Sequence, residues 1–213
     1  MSRAAAVPSY PVNLIVDGRP CLVVGGGPVA ARKVEGLRTC GAEVHVVAPS
    51  ISDAVRSQPG VTWEQRPYRP SDLVGRRLVI AATDDAEVNA SVFADAEAAG
   101  VWVNGADDPE HCTFTLPSVL RRGGLMVTVS TGGRSPALAV WLRERLEHEV
   151  GPEYEVLLDL LAEERDQIRA TGRSSEDVDW RRALESDMLV LIRSGDLTRA
   201  KERLHTCLSS SSA

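Results

Sequence analysis

The sequence predicts an α/β protein whose amino-terminal part is a Rossmann-like parallel sheet with helices on both faces. Over the first half of the 213-residue chain, short apolar runs alternate with helical patterns, as they do in parallel sheets. One apolar run is followed by three glycines, Gly25 to Gly27, and then by a helical pattern, which is the order of strand, tight turn and helix. The second half changes to a hairpin pattern and then to charged helices. A small β-hairpin-plus-helix domain and a helical carboxyl-terminal region therefore complete the fold class.

The elements of the first half are bounded by apolar runs and by glycines. Gly41 and Gly100 stand where two helices are expected to end, because glycine readily takes the left-handed conformation at a helix C-terminus. The predicted strands are Cys21–Val24, Glu43–Ala48, Val61–Arg66, Leu78–Ala82 and Val101–Asn104, and the predicted helices are Pro28–Cys40, Ser52–Ser57 and Ala86–Ala99.

The second half begins with a predicted hairpin. Residues Thr115–Val119 and Leu125–Ser130 alternate in polarity around a glycine-containing turn, which is typical of two antiparallel strands. Ser135 can then cap a helix over Ala137–Glu149 that has Pro136 at its first position. The predicted apolar face of this helix consists of Leu138, Trp141, Leu142 and Leu146.

A hairpin and a few helices bury little surface by themselves, so the second half must pack on the first domain or on another subunit. We prefer a homodimer, with the hairpin and its helix as the dimerisation and substrate domain. The predicted boundaries are 1–113 for the dinucleotide-binding domain, 114–150 for the dimerisation domain, 151–208 for the helical domain and 209–213 for a disordered tail.

Composition argues against several classes of function. The formal net charge of -6 argues against a general nucleic-acid binder, whose phosphate contacts need a basic surface. No segment is apolar for long enough to cross a membrane, and the first residues are too polar for a signal peptide, so a cytoplasmic location is expected. The cysteines lie far apart and the histidines show no ligand spacing, so we expect neither disulfides nor a permanent metal.

The glycine turn fits a dinucleotide-phosphate loop. Gly25, Gly27 and Ala30 fill the positions of the G-x-G-x-x-G/A pattern, and the phosphates would lie at a helix N-terminus. Glycine-rich turns also occur without a ligand, and this alternative stays open. About 20 residues further on, where an acid usually binds the ribose, the chain reads Val46-Val47-Ala48-Pro49-Ser50. We therefore expect backbone groups and the Ser50 hydroxyl to hold the adenosine.

Four segments occur in the order PVNLIVDGRPCLVVGGGPVAARKVEGL, VIAATDD, VNGADDPEHCTFTLPS and LMVTVSTGGRSPALA. Together they resemble the precorrin-2 dehydrogenase and sirohydrochlorin ferrochelatase family, which forms the amino-terminal module of siroheme synthases and also occurs alone. The resemblance implies NAD-dependent oxidation of precorrin-2, a tetrapyrrole polycarboxylate, to sirohydrochlorin. Some members also insert iron, so ferrous iron is a possible second substrate. Larger members carry a methyltransferase domain, which we expect to be a separate protein here.

The resemblance assigns Asp107 as the catalytic residue, in the stretch Asn104-Gly105-Ala106-Asp107. A carboxylate at the carboxyl end of a strand, facing the cofactor, can accept the proton that leaves the substrate. The alternative is a turn aspartate that bonds its own backbone before Pro109. The expected cofactor-binding residues are Gly25, Gly27, Pro28, Val29, Pro49, Ser50 and Thr83.

The resemblance also points to a substrate site. Asn104 orients a substrate group or the nicotinamide amide, or else it closes the strand, and Phe114 packs against the macrocycle or in the core. Thr131 stands where some members have a serine that lines the tetrapyrrole pocket, and it keeps the hydroxyl. Arginines can hold substrate carboxylates by forked hydrogen bonds, and the candidates are Arg134 together with Arg121, Arg122 and Arg143.

Two other functions remain open at this point. A regulatory module would bind NAD or NADH without chemistry, and a chelatase would insert metal and ignore NAD. The regulatory module gives no reason for a carboxylate, a hydroxyl-bearing loop and several arginines around one crevice. The missing acid leaves the choice between NAD and NADP open from the residues, and only the resemblance favours NAD.

Overall fold

The computed structural model describes residues 9–176 and 178–209. Contacts between Cα atoms divide the chain into two compact units, one ending at Leu116 and the other beginning at Pro117. The subdivision of the second half at residue 150 stays a prediction. Of the expected tail, Ser209 is the last residue of a helix, and residues 210–213 lie outside the described part of the chain.

The first unit is built on a five-stranded parallel sheet. Its strands are β1 (Pro20–Val24), β2 (Glu43–Ala48), β3 (Thr62–Gln65), β4 (Leu78–Ala81) and β5 (Trp102–Gly105). The strand order is β3-β2-β1-β4-β5, with Val24 of β1 paired to Val47 on one side and to Ala81 on the other. The direction of winding reverses between β1 and β4. In open α/β sheets this is the place where ligands bind, beyond the carboxyl ends of the strands.

Helices cover both faces of this sheet, as the sequence predicts. They are α1 (Pro28–Thr39), α2 (Asp53–Arg56) and α3 (Ala86–Ala99). Alternate residues of a strand point to opposite faces. One buried cluster joins Val23 and Val46 to Val34 of α1, and another joins Leu22 to Val92 of α3. The sheet is therefore buried between two helical layers, and its carboxyl edge is left for the loops.

The second unit contains one hairpin and five helices within its described residues. The elements are β6 (Ser118–Arg122), β7 (Leu125–Val129), α4 (Pro136–Glu149), α5 (Glu153–Ala170), α6 (Trp180–Leu184), α7 (Met188–Arg193) and α8 (Leu197–Ser209). A separate buried cluster holds α5 to α8 together, with Leu157, Leu160, Met188, Leu191 and Leu204 among its members. The helical carboxyl-terminal region is therefore confirmed, and it has its own core.

The first hairpin strand was predicted wrongly. Thr115–Val119 was expected, but β6 spans Ser118–Arg122 and pairs Arg122 with Leu125. The loop consequently has two residues, Gly123 and Gly124, and Gly123 takes a φ of +52°, which short hairpin turns require of a central residue. Leu120, only 3% exposed, is the buried anchor of β6, and the sequence alternation did not single it out.

The apolar face of α4 is only partly covered within this chain. Ser135 caps the helix by accepting a hydrogen bond from the Leu138 amide at 3.2 Å, as predicted. Leu138 and Trp141, however, are 46% and 51% exposed, and Ala139 is the buried residue. Among the described residues, no helix combines the length and the apolar character that crossing a membrane would need.

Candidate functional site

The glycine turn follows β1 and is wedged between two neighbouring loops. Gly25 has a φ of +127°, and a Cβ on it would collide with the carbonyl oxygen of Ala82, beyond β4. A Cβ on Gly26 would collide with the carbonyl oxygen of Ser50, beyond β2. A Cβ on Gly27 would have no heavy atom within 4 Å. The packing of the protein thus leaves no room for a side chain at Gly25 or Gly26, whereas Gly27 borders open space that a ligand can approach closely.

The N-terminus of α1 leaves backbone donors at this open space. Gly27 is the N-cap and provides no side-chain cap, Pro28 is the first helical residue, and the first turn contains no acid. Because proline has no N–H, the donors of the first turn are the amides of Val29 and Ala30. Unpaired amides and the helix dipole favour an anion. The turn and helix therefore fit the diphosphate of a dinucleotide.

The loop after β2 adjoins the same turn. Pro49 and Ser50 are exposed, and the Ser52 amide donates to the Gly26 carbonyl at 2.9 Å. The segment from Val46 to Ser50 contains no acid, as read from the sequence. This loop can therefore offer an adenosine the Ser50 hydroxyl and backbone groups.

The loop after β4 is held by an asparagine that sequence reasoning missed. Thr83 is half-buried, and its hydroxyl lies 2.8 Å from Oδ1 of Asn89, in the first turn of α3. Asp85 caps α3 by accepting from the Glu87 amide at 2.9 Å. Asn89 could have been suspected only from its place in that first turn, and the sequence gives no sign that it is buried.

Asp107 lies just beyond β5 in an uncommon backbone conformation. Among the described residues it is the only non-glycine with a positive φ, at +62°. Aspartate and asparagine tolerate this left-handed region better than most residues. The Ala106 amide donates to the Ala81 carbonyl at 2.8 Å, so the chain entering Asp107 is still tied to β4. Asp107 is exposed, at the carboxyl edge of the sheet.

Asn104 ties β5 to the segment that follows Asp107. It is 6% exposed, and its Nδ2 donates to the Phe114 carbonyl at 2.9 Å and to Cys112 Sγ at 3.3 Å. The Phe114 ring packs against the core and lies 6.3 Å from the Trp102 ring. Asn104 and Phe114 thus both have partners within the first unit. This favours the structural alternatives for them, in which Asn104 closes the strand and Phe114 packs in the core.

Asp108 forms a pair with His111 beside this turn. Asp108 Oδ2 lies 2.6 Å from His111 Nδ1, and this hydrogen bond holds the pKa of the Asp108 carboxyl below its usual range. The edge of the His111 ring faces Phe93 at 5.1 Å. Burial raises the pKa of the Cys112 thiol, whose Sγ donates to the Asp108 carbonyl at 3.2 Å. These contacts brace the turn that carries Asp107.

Thr131 and Arg134 belong to the second unit. The Thr131 hydroxyl donates to the Ser135 carbonyl at 3.1 Å and accepts from the Ser135 amide at 3.1 Å, so it shapes the loop before α4. Arg134 is exposed, and within the described chain no carboxylate forms an ion pair with it. Arg122 and Arg143 instead both pair with Glu147, at 3.6 Å and 2.8 Å.

The structure thus brings the residues assigned to the cofactor to one edge of one sheet. Gly25, Gly27, Pro28 and Val29 follow β1, Pro49 and Ser50 follow β2, and Thr83 follows β4. At the same edge, Asn104 lies near the end of β5 and Asp107 lies just beyond it. Among the described residues, no three His, Cys, Asp or Glu side chains cluster as metal ligands.

Comparison with known proteins decides the family. A family model described as putative NAD(P)-binding matches residues 12–118, and one described as sirohaem biosynthesis protein central matches residues 122–149. A solved structure of SirC, a precorrin-2 dehydrogenase, superposes with a TM-score of 0.69 at 26% identity, covering 93% of this chain and 98% of that one. The chain belongs to the family that the putative NAD(P)-binding model describes, and the sirohaem biosynthesis central region follows directly in its sequence.

The curated relatives of this chain are longer proteins. The siroheme synthase of Nitrosomonas europaea is 40% identical over 207 residues, which cover 94% of this chain and 44% of the relative. That of Nitrosococcus oceani is 39% identical over 203 residues, or 93% of this chain and 43% of the relative. The chain therefore spans less than half the length of these siroheme synthases.

Proposed function

We propose that this protein oxidises precorrin-2 to sirohydrochlorin with NAD, a reaction of siroheme biosynthesis. The observation that carries the proposal is the arrangement of the carboxyl edge of the sheet. The glycine turn follows β1 and Asp107 follows β5, and both strands pair with β4. A dinucleotide site and a candidate base therefore border the same crevice. The likeness to a solved precorrin-2 dehydrogenase and to siroheme synthases supports the choice of substrate.

The cofactor is held by the residues of that edge. The amides of Val29 and Ala30 bind the diphosphate against Gly27, and Ser50 with Pro49 contacts the adenosine. Thr83 borders the same site from the loop after β4. Bound NAD supplies the acceptor for the hydride that leaves the substrate. Because no acid follows β2, the ribose is held without a carboxylate from that loop. The choice of NAD over NADP therefore rests on the resemblance to precorrin-2 dehydrogenases.

Asp107 takes the proton. Oxidation removes a hydride and a proton from the tetrapyrrole, and the carboxylate of Asp107 accepts the proton as a general base. Its exposure leaves it open to the substrate. Arg134 binds a carboxylate of the tetrapyrrole and Thr131 lines its pocket, whereas Asn104 and Phe114 support the loop that carries Asp107.

Asp107→Asn tests this role with little strain, because asparagine also tolerates the left-handed conformation. We expect the rate of NADH formation from precorrin-2 to fall about 100-fold or more, as for the loss of a general base. Circular dichroism checks that the variant is folded, and Asp84→Ala, an exposed aspartate beyond β4, is the control. Unchanged turnover in Asp107→Asn would remove Asp107 from the mechanism. NAD binding without any turnover in the unmodified protein would instead favour a regulatory module.

We propose iron insertion into sirohydrochlorin as a second activity of the same site. Metal insertion releases protons from pyrrole nitrogens, and the exposed Asp107 carboxylate can accept these as well. Ferrous iron enters as a substrate. Sirohydrochlorin and ferrous iron, followed by the pigment spectrum with and without Asp107→Asn, test this activity separately from NAD.

We also propose a homodimer. The support is the apolar surface of the second unit, where Leu138, Val140 and Trp141 of α4 are each more than 40% exposed, at 46%, 43% and 51%. Apolar side chains that are contiguous and exposed usually mark an interaction surface. The cytoplasmic location stays a prediction.

A further inference from the structure

Asn89 is a buried polar residue that the mechanism above does not use. It is 7% exposed, and its side chain is committed to a single residue, Thr83. Its Oδ1 accepts from the Thr83 hydroxyl at 2.8 Å and from the Thr83 amide at 3.3 Å, and its Nδ2 donates to the Thr83 carbonyl at 3.0 Å. A buried amide bonded in this way fixes the backbone on both sides of its partner.

The backbone that Asn89 fixes packs against the glycine turn. The Ala82 amide donates to the Val24 carbonyl at 2.8 Å, which extends the pairing of β1 and β4 to the start of this loop. The Ala82 carbonyl is the group that a Cβ on Gly25 would strike, and the Thr83 amide nitrogen would lie 3.3 Å from the same Cβ. A displacement of Thr83 would therefore disturb the packing of this loop against the glycine turn.

Asn89 also orients the Thr83 hydroxyl. The hydroxyl has one proton, and Asn89 Oδ1 at 2.8 Å is closer than the Asp85 carbonyl at 3.0 Å. The Asp85 amide donates to the oxygen of the Thr83 hydroxyl at 3.2 Å. The hydroxyl thus donates one hydrogen bond to Asn89 Oδ1 and accepts one from the Asp85 amide. Its second lone pair remains available to a hydrogen-bond donor on a ligand.

We propose that Asn89 is a positioning residue for dinucleotide binding and acts through Thr83. The proposal rests on the NAD-dependent function proposed above. Asn89 is too deeply buried to touch the cofactor, and Thr83 is the residue that meets it. The bonds of Asn89 set both the position of the loop and the acceptor that its hydroxyl presents.

The first test is the binding of NAD⁺ to Asn89→Ala, measured by calorimetry. We expect binding about tenfold weaker than in the unmodified protein, since the bonds that fix Thr83 are lost. In steady-state assays the KM for NAD should rise by a similar factor, while kcat at saturating NAD stays within about twofold. Asn13→Ala, which removes an exposed asparagine of the same unit, is the matched control and should bind NAD⁺ normally.

This split separates positioning from a general loss of stability. A destabilised protein has fewer folded molecules, which lowers the apparent kcat and leaves the KM for NAD unchanged. Thr83→Val removes the other partner of the same hydrogen bond and keeps the shape of the side chain. It replaces Asn89→Ala as the test if Asn89→Ala does not fold. If Asn89 acts through Thr83, the double variant should bind NAD⁺ no more weakly than the weaker single variant.

The possible results are distinct. If the unmodified protein does not bind NAD⁺, the proposed function fails and the role of Asn89 fails with it. If the unmodified protein binds NAD⁺, and Asn89→Ala and Thr83→Val each bind it with the same affinity as the unmodified protein, only the role of Asn89 is overturned. Fully additive losses in the double variant would also overturn it, because two independent residues would then be involved.

Discussion

Gly26 and Gly27 are adjacent in the chain, but the atoms around them differ. The space beside Gly26 is filled by the carbonyl of Ser50, so a side chain there competes with the protein itself. The space beside Gly27 holds no heavy atom within 4 Å. A side chain at Gly27 competes only with a ligand. A substitution at Gly26 should therefore affect folding, whereas one at Gly27 should affect ligand binding.

Gly27→Ala should leave the protein folded and weaken NAD⁺ binding about tenfold or more, because its methyl group occupies the space of the diphosphate. The φ of -87° at Gly27 suits alanine. Gly26→Ala should instead lower the free energy of unfolding by about 1–3 kcal/mol through the collision with Ser50. Thermal unfolding and calorimetric titration with NAD⁺ measure the two effects. Equal NAD⁺ affinity in Gly27→Ala and the unmodified protein would show that no ligand approaches this turn.

At the scale of single elements, α4 has one buried side and one exposed side. Ala139 is buried within the chain, whereas Trp141 and Leu138 remain exposed. Arg145 lies 5.0 Å from the Trp141 ring, so a charge already stands beside this apolar surface. A second copy of the chain would cover the exposed side, as isologous interfaces do.

Trp141→Glu should convert the protein from a dimer to a monomer, because it introduces a charge into the proposed interface. Light scattering after size exclusion gives the mass directly. Val190→Glu is the control, since Val190 lies on α7 and is 63% exposed. A dimer that persists in Trp141→Glu and in Leu138→Glu would place the interface elsewhere, and an unmodified protein that is monomeric would remove the proposal.

Elements with local signals at both ends were predicted best. The bounds of α3 were predicted correctly, because its Asp85 cap and its terminal Gly100 are both visible in the sequence. The start of β6 was not, since the choice between Thr115 and Ser118 depends on which residue the second unit buries. The same division holds for the site. The glycine turn is a local backbone requirement, whereas the role of Asn89 depends on which side chain the fold encloses.

The whole molecule contains two units, each with its own buried residues. The sheet and its helices enclose Val23, Val34 and Ile80, and the terminal helices enclose Met188 and Leu204. The residues proposed to bind NAD all belong to the first unit. Damage to the core of the second unit should therefore leave that binding site intact.

Leu204→Ala should lower the stability of the second unit by about 2–4 kcal/mol, because Leu204 is 2% exposed and its removal leaves a cavity. NAD⁺ affinity at a temperature where the protein is folded should stay within about twofold of the unmodified value. Scanning calorimetry and an NAD⁺ titration on one preparation test both statements. Weaker NAD⁺ binding in the folded variant would show that the second unit contributes to the cofactor site.

The wedged glycine turn has a consequence for the thermodynamics of binding. Its amide at Gly25 is bonded to the Val47 carbonyl at 2.9 Å and its carbonyl at Gly26 to the Ser52 amide at 2.9 Å, so its shape is set by the sheet. A loop that is already in its bound conformation loses little conformational entropy when a ligand arrives. The affinity of this loop for a diphosphate is then not reduced by a cost of ordering, and association does not wait for the loop to close.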